Sequence, residues 1–227
     1  MQNLIKKWFA RLKNGIEEVG SNDLSVIWVH GANQSGLSFQ YLRSLTCFKN
    51  ELVVEYDTSH KFKDNLEMLC NQILKVRGPY FMIGHSLGGL YALHLTKHVD
   101  VVGAVSISTP FAGSWTADWA RFFVPTYQLF RDVGRRSIPI KESQNIKLTV
   151  DWTQIVSTKG NVPYHGGPND GVCTIKSMKS RKDMELIEVP HTHFEVMCSD
   201  LVVEIILDRY EKVVRRIKTG NVIQKPI

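Results

Sequence analysis

Serine, histidine and aspartate are the side chains that together can run acyl chemistry, and this chain presents each of them beside glycine or next to an apolar run. Ser86 stands in Gly84-His85-Ser86-Leu87-Gly88-Gly89, after a short apolar run and before a run with helical spacing. A serine hydroxyl is a poor nucleophile until a neighbouring base takes its proton, and that base must be held in the right tautomer by an acid. A sharp strand-to-helix turn would lift Ser86 clear of a sheet. Glycine two places before and two after removes the Cβ atoms such a turn cannot house. The first N–H groups of an amphipathic helix would then face the same spot and favour developing negative charge.

Candidates for the other two roles lie downstream. Asp170 sits in Asn169-Asp170-Gly171-Val172, and His191 and His193 sit two apart in His191-Thr192-His193-Phe194. Asp151, inside an apolar run, and Asp57, at the end of another, are rival carboxylates that solvation or helix capping would also explain. No cysteine or carboxylate shares tight ligand spacing with the histidines, so no metal site is expected.

The elements that must position these groups alternate along the chain. Strands are expected at Ser25–Val29, 52–56, 80–83, Val101–Ile107, 148–156 and Glu185–Val189, with helices over 37–47, 62–76, 87–99 and 201–217. Such alternation predicts an α/β fold: a mostly parallel sheet of about six strands with helices on both faces and right-handed crossovers. Ligands bind beyond the carboxyl ends of strands in such sheets. Ser86, Asp170 and both histidines follow expected strands.

The hexapeptide GHSLGG resembles the nucleophile elbow of lipases and esterases in the α/β-hydrolase family, and the likeness in pattern runs from Val26 to the last helix. The resemblance implies an α/β-hydrolase fold and the chain order serine, acid, histidine. It implies one oxyanion donor from the backbone of Ala32, after His30-Gly31, and makes Leu87 the natural second. The Asp170 loop resembles the acid loop of bacterial lipases. His193, followed by Phe194-Glu195-Val196-Met197, resembles the family's histidine more closely than His191 does. Ser108-Thr109-Pro110-Phe111-Ala112-Gly113 resembles a TPHxG motif, with Phe111 where histidine is usual.

Residues 111–147 are long for a connection and carry Phe111, Trp115, Trp119, Phe122, Phe123, Tyr127 and Phe130. Their position matches the lid insertion of family members. Phe111, Trp115 and Trp119 are the expected substrate-binding residues, with core packing as the alternative. The implied reaction is hydrolysis of a small, hydrophobic carboxylic ester through an acyl-enzyme, with no cofactor. Thioesterase, amidase or acyltransferase chemistry would use the same groups, and a non-catalytic ligand-binding protein is the rival from another class.

At 227 residues, one domain spanning 1–227 with a sizeable core is expected. Residues 1–20 have apolar positions at helical spacing separated by Lys6, Lys7, Arg11 and Lys13. They read as an amphipathic helix packed on the domain, with peripheral membrane contact as the alternative. They lack the unbroken apolar stretch of a cleaved secretory signal. Scattered cysteines at 47, 70, 173 and 198 without a CxxC pair point to free thiols and a cytoplasmic location. The net charge of +6 collects at Arg131/Arg135/Arg136 and at Lys176/Lys179/Arg181/Lys182. Both read as solvated surface, and no element that could read nucleic acid accompanies them.

Overall fold

The computed structural model describes residues 24–124, 126, 128–163 and 166–219. The expected helix over 1–20, with its membrane alternative, and Tyr127 lie outside the described residues. Six strands form one sheet: β1 (Ser25–Val29), β2 (Glu51–Val54), β3 (Tyr80–His85), β4 (Val101–Ile107), β5 (Asp151–Ser157) and β6 (Glu185–Val189). Their order is β2-β1-β3-β4-β5-β6, and every neighbouring pair is parallel. The helices are α1 (Gln40–Thr46), α2 (Phe62–Ile73), α3 (Leu87–Leu95), α4 (Trp115–Phe123), α5 (Gln128–Val133), α6 (Ile138–Asn145), α7 (Ile175–Met178) and α8 (Asp200–Lys218).

Every residue of β1, β3 and β4 is buried. Central parallel strands are covered on both faces and are therefore apolar throughout. The period of two decides which face each side chain joins. Val26 and Trp28 pack with Leu42 of α1 and Tyr210 of α8. Ile27 and Val29 pack with Leu69 and Ile73 of α2 and Leu90 and Tyr91 of α3. Edge strands β2 and β6 are only partly buried, and their charged residues form ion pairs such as Arg43–Glu51 and Lys179–Glu188.

Sequence periodicity located the six strands and the helices α1, α2, α3 and α8, missed some of their ends, and did not resolve α4, α5, α6 and α7. The 37–47 run opens as a 3₁₀ turn at Gly36–Phe39, and β5 begins at Asp151, which is exposed and paired with Arg216. The helix after Ser86 is buried at all nine positions instead of being amphipathic. It lies between the sheet and other helices, so it has no solvent face to mark. Arg181 also departs from expectation. It is buried, pairs with Asp183 and donates to the Ser143 and Ile146 carbonyls. Those bonds tie the end of α6 to the loop before β6. Among the described residues no helix is long and apolar enough to cross a membrane.

Register carries the fold into the site. The pairs Val29↔Gly84, Gly84↔Ser106, Ile107↔Ile155 and Ser157↔Val189 bring the carboxyl ends of β1, β3, β4, β5 and β6 to one edge. The chain turns outward to β2 on one side of β1 and to β3 on the other, which makes the β1/β3 ends a topological switch point.

Candidate active site

Ser86 follows β3 and caps α3 with φ 52° and ψ −119°. Positive φ is uncommon for a residue with a Cβ and is held here by its surroundings. The Ser86 amide donates to the Ile107 carbonyl at 2.8 Å. A Cβ on Gly88 would lie 1.9 Å from the Val29 carbonyl oxygen and 2.4 Å from that of His30. One on Gly84 would lie 2.6 Å from the Gly89 Cα. The elbow is therefore pressed against the end of β1, where only hydrogen fits.

The loop after β5 brings Asp170 to His193. The two are joined by a 2.7 Å bond between His193 Nδ1 and Asp170 Oδ2, and both side chains are buried. The His193 amide also donates to the Asp170 carbonyl at 3.0 Å. Asp170 Oδ1 accepts from the amides of Val172 (3.0 Å) and Cys173 (2.7 Å), and Oδ2 accepts from the Ser157 hydroxyl. Burial pushes this carboxyl up. The bond and charge of His193, the Ser157 hydroxyl and the Cys173 amide outweigh it and hold Asp170 below its ordinary value.

His85, the residue before Ser86, packs its ring 4.9 Å from that of His193 and bonds the His193 carbonyl through Nε2 at 3.0 Å. Burial first, then the neighbouring His193, lower its pKa to about 3. His85 is thus a neutral brace whose Nε2–H donates to that carbonyl. The structure brings His193 to this cluster and not His191, whose Nε2 bonds Ser199 Oγ at 2.8 Å. Asp57 is taken up by the Ser59 amide and Asp151 by Arg216, both at the surface. Among the described residues neither Ser86 Oγ nor His193 Nε2 makes a hydrogen bond, so the serine is not joined to the imidazole that Asp170 holds through Nδ1. In unliganded sites such bonds are often long and tighten with substrate.

Ser86 opens on a cavity of about 270 Å³ lined mainly by apolar groups, including Ala32, Leu87, Ala117, Leu129, Val133 and Val172. Residues of α4 and α5 supply one wall of it. The three aromatic residues expected to bind substrate do not line this cavity. Phe111 is fully buried, with its ring against Trp152. Where the lipase motif has histidine, this chain packs a core side chain. Trp115 and Trp119 are 40% and 56% exposed and pack on each other on the outer side of α4. Their spacing of four residues puts both on one face of α4.

Ligating atoms of Asp170, Cys173 and His193 lie within 4.8 Å of one another, a grouping that sequence spacing concealed. Burial pushes the Cys173 thiol well above its ordinary value. Both Asp170 oxygens already accept two hydrogen bonds. Sequence reasoning also missed Ser157 and Ser108, since buried hydroxyls at strand ends have no distinguishing pattern.

A family model described as alpha/beta hydrolase family matches residues 26–156. No curated protein matches by sequence. Among solved structures, the mature lipase BlEst2 of Bacillus licheniformis is similar with a TM-score of 0.69 at 15% identity, over 86% of this chain and 94% of that one. The metagenomic carboxyl esterase MGS0156 gives 0.65 at 13%, over 90% and 78%. The Vlm2 thioesterase domain gives 0.52 at 15%, over 82% and 95%. At these identities the likeness is one of fold.

Proposed function

This chain belongs to the alpha/beta hydrolase family, and from that premise we propose that it cleaves carboxylic esters of hydrophobic acids through Ser86, His193 and Asp170. The observation that carries the reading is the 2.7 Å bond between a buried carboxylate and an imidazole that packs beside the residue preceding Ser86. In the proposed reaction Ser86 Oγ attacks the ester carbonyl and its proton passes to His193 Nε2. The tautomer is determined by Asp170: an acceptor at Nδ1 keeps the proton there and leaves Nε2 as the base. The tetrahedral oxyanion is received by the Ala32 and Leu87 amides. Leu87 is the first residue of α3, whose N–H has no partner within the helix. His193 returns the proton to the alcohol, which leaves, and a water activated by the same imidazole then releases the acid.

The apolar lining beside Ser86 favours a hydrophobic acyl group. The test is direct. Ser86→Ala abolishes turnover of p-nitrophenyl acetate and labelling by a fluorophosphonate while leaving the melting temperature near that of the wild type. Full activity in the variant overturns the proposal. Thioester cleavage would use the same apparatus, and the fold likeness to a thioesterase domain keeps it as the second reading. Matched oxygen and thioesters of one acid distinguish the two.

A further inference from the structure

We infer that Ser157 is a positioning residue for the reaction and that Ser108 positions Ser157 in turn, so that a buried hydroxyl relay sets the hydrogen bonding of the Asp170–His193 pair. The inference rests on the proposed roles of Ser86, His193 and Asp170. Its basis is a chain of contacts behind the acid. Ser157 Oγ lies 2.5 Å from Asp170 Oδ2, the same oxygen that bonds His193 Nδ1, and Ser108 Oγ lies 2.7 Å from Ser157 Oγ. All of these side chains are fully or almost fully buried.

The direction of the relay follows from valence. An ionised carboxylate only accepts, so the Ser157 proton points to Asp170. The Ser157 oxygen is then an acceptor, and the Ser108 proton points to it. The other contact of Ser157, Met178 Sδ at 3.7 Å, is a weak acceptor that does not compete with a carboxylate. Backbone geometry supports a built arrangement. Side chains of Ser106 and Gln154 are bonded across β4 and β5 on one face, and regular alternation would carry Ser108 to that face too. Ser108 instead has φ 54°, a left-handed conformation that breaks the alternation and re-aims its hydroxyl at Ser157 on the other face.

Two donors on Oδ2 divide its negative charge between the imidazole and the relay. Without the Ser157 hydroxyl, that oxygen draws more strongly on a protonated His193, so the base is lost to protonation at higher pH. The titratable groups packed around the pair do not mask this. His85, after β3, stays neutral at assay pH, and Cys173, after β5, stays a thiol. His30, at the end of β1, is held by the Gly31 carbonyl and by Glu55.

The experiment is the pH profile of kcat/KM for p-nitrophenyl acetate in wild type, Ser157→Ala, Ser157→Thr and Ser108→Ala. Ser157→Ala moves the acidic limb upward by about 0.5–1 pH unit, a ~3–10-fold loss below the limb. Ser108→Ala gives a smaller shift of the same sign, and Ser157→Thr, which restores a hydroxyl, returns the limb towards wild type. A packing role alone would lower the melting temperature and leave the limb in place. An unshifted limb in folded Ser157→Ala, with fluorophosphonate labelling intact, overturns this inference alone. If Ser157→Ala does not fold, an unshifted limb in Ser108→Ala overturns it. Absence of labelling in the wild type overturns both this inference and the proposed function.

Discussion

Replacing Asp170 with asparagine changes one oxygen to an amino group, and the structure dictates which one. Oδ1 accepts from the Val172 and Cys173 amides at 3.0 and 2.7 Å, so an amide oxygen must stay there, because an amino group would meet two donors. The new amino group therefore occupies the position of Oδ2 and faces His193 Nδ1 across 2.7 Å. Nδ1 must then accept, its proton moves to Nε2, and the imidazole presents a proton to Ser86 where a lone pair is needed. A wrong tautomer in such a triad costs about 10⁴ in rate, or ~5.5 kcal/mol at ~1.4 kcal/mol per decade. The fold tolerates the change, since the Ser157 hydroxyl can turn to accept from the new amino group. Asp170 is held below the ordinary carboxylate range, so it is ionised throughout pH 6–9 and the loss is not a matter of titration. The assay is kcat/KM on p-nitrophenyl acetate at pH 8, with melting followed by circular dichroism. A folded Asp170→Asn protein within tenfold of wild type would refute the reasoning, because the base would then not depend on this carboxylate.

Two further predictions concern the scaffold. Gly88→Ala is expected to destabilise the fold by more than about 3 kcal/mol, because its Cβ would sit 1.9 Å from a main-chain oxygen of β1 that cannot rotate away; a melting temperature near wild type would contradict the close approach. Asp132, buried in α5, is raised from 3.8 to about 6 by burial, against the opposing effects of Gln128, the Phe62 amide and Arg131. The native state thus holds this proton more tightly than the unfolded chain does, and stability falls as pH rises from about 4 through 6. Asp132→Asn removes that ionisation penalty, by roughly 1–2 kcal/mol after allowing for partial solvent screening. The variant is expected to melt higher than wild type at pH 7.5 and to converge with it near pH 4. A lower melting temperature at pH 7.5 with an unchanged pH slope would show that Asp132 acts mainly as a hydrogen-bond acceptor.

Local sterics made much of the architecture legible in advance. Runs such as Ser25–Val29 and Val101–Ile107 are strands because β-branched and aliphatic residues suit a sheet buried on both faces. The turn at Ser86 was legible for the same kind of reason, since the constraint on Gly84 and Gly88 is a short-range clash that residue type alone reports. The buried helix after it was misread as amphipathic because periodicity marks a helix only where one face meets water.

Between two histidines separated by one residue, the amino-acid order supports a preference but does not decide. The path of the loop after β6 turns His193 towards Asp170 and leaves His191 on Ser199. In the same way, packing on Trp152 makes Phe111 a core residue, and the pitch of α4 turns Trp115 and Trp119 outward. The relay from Ser108 through Ser157 depends on the pairing of β4 with β5 and on one left-handed residue. By itself, then, the sequence determined the strands, the elbow and the kinds of group that could react, because those follow from contacts a few residues apart. Only the tertiary structure decided which of those groups meet, because the register of six parallel strands joins positions separated by tens of residues.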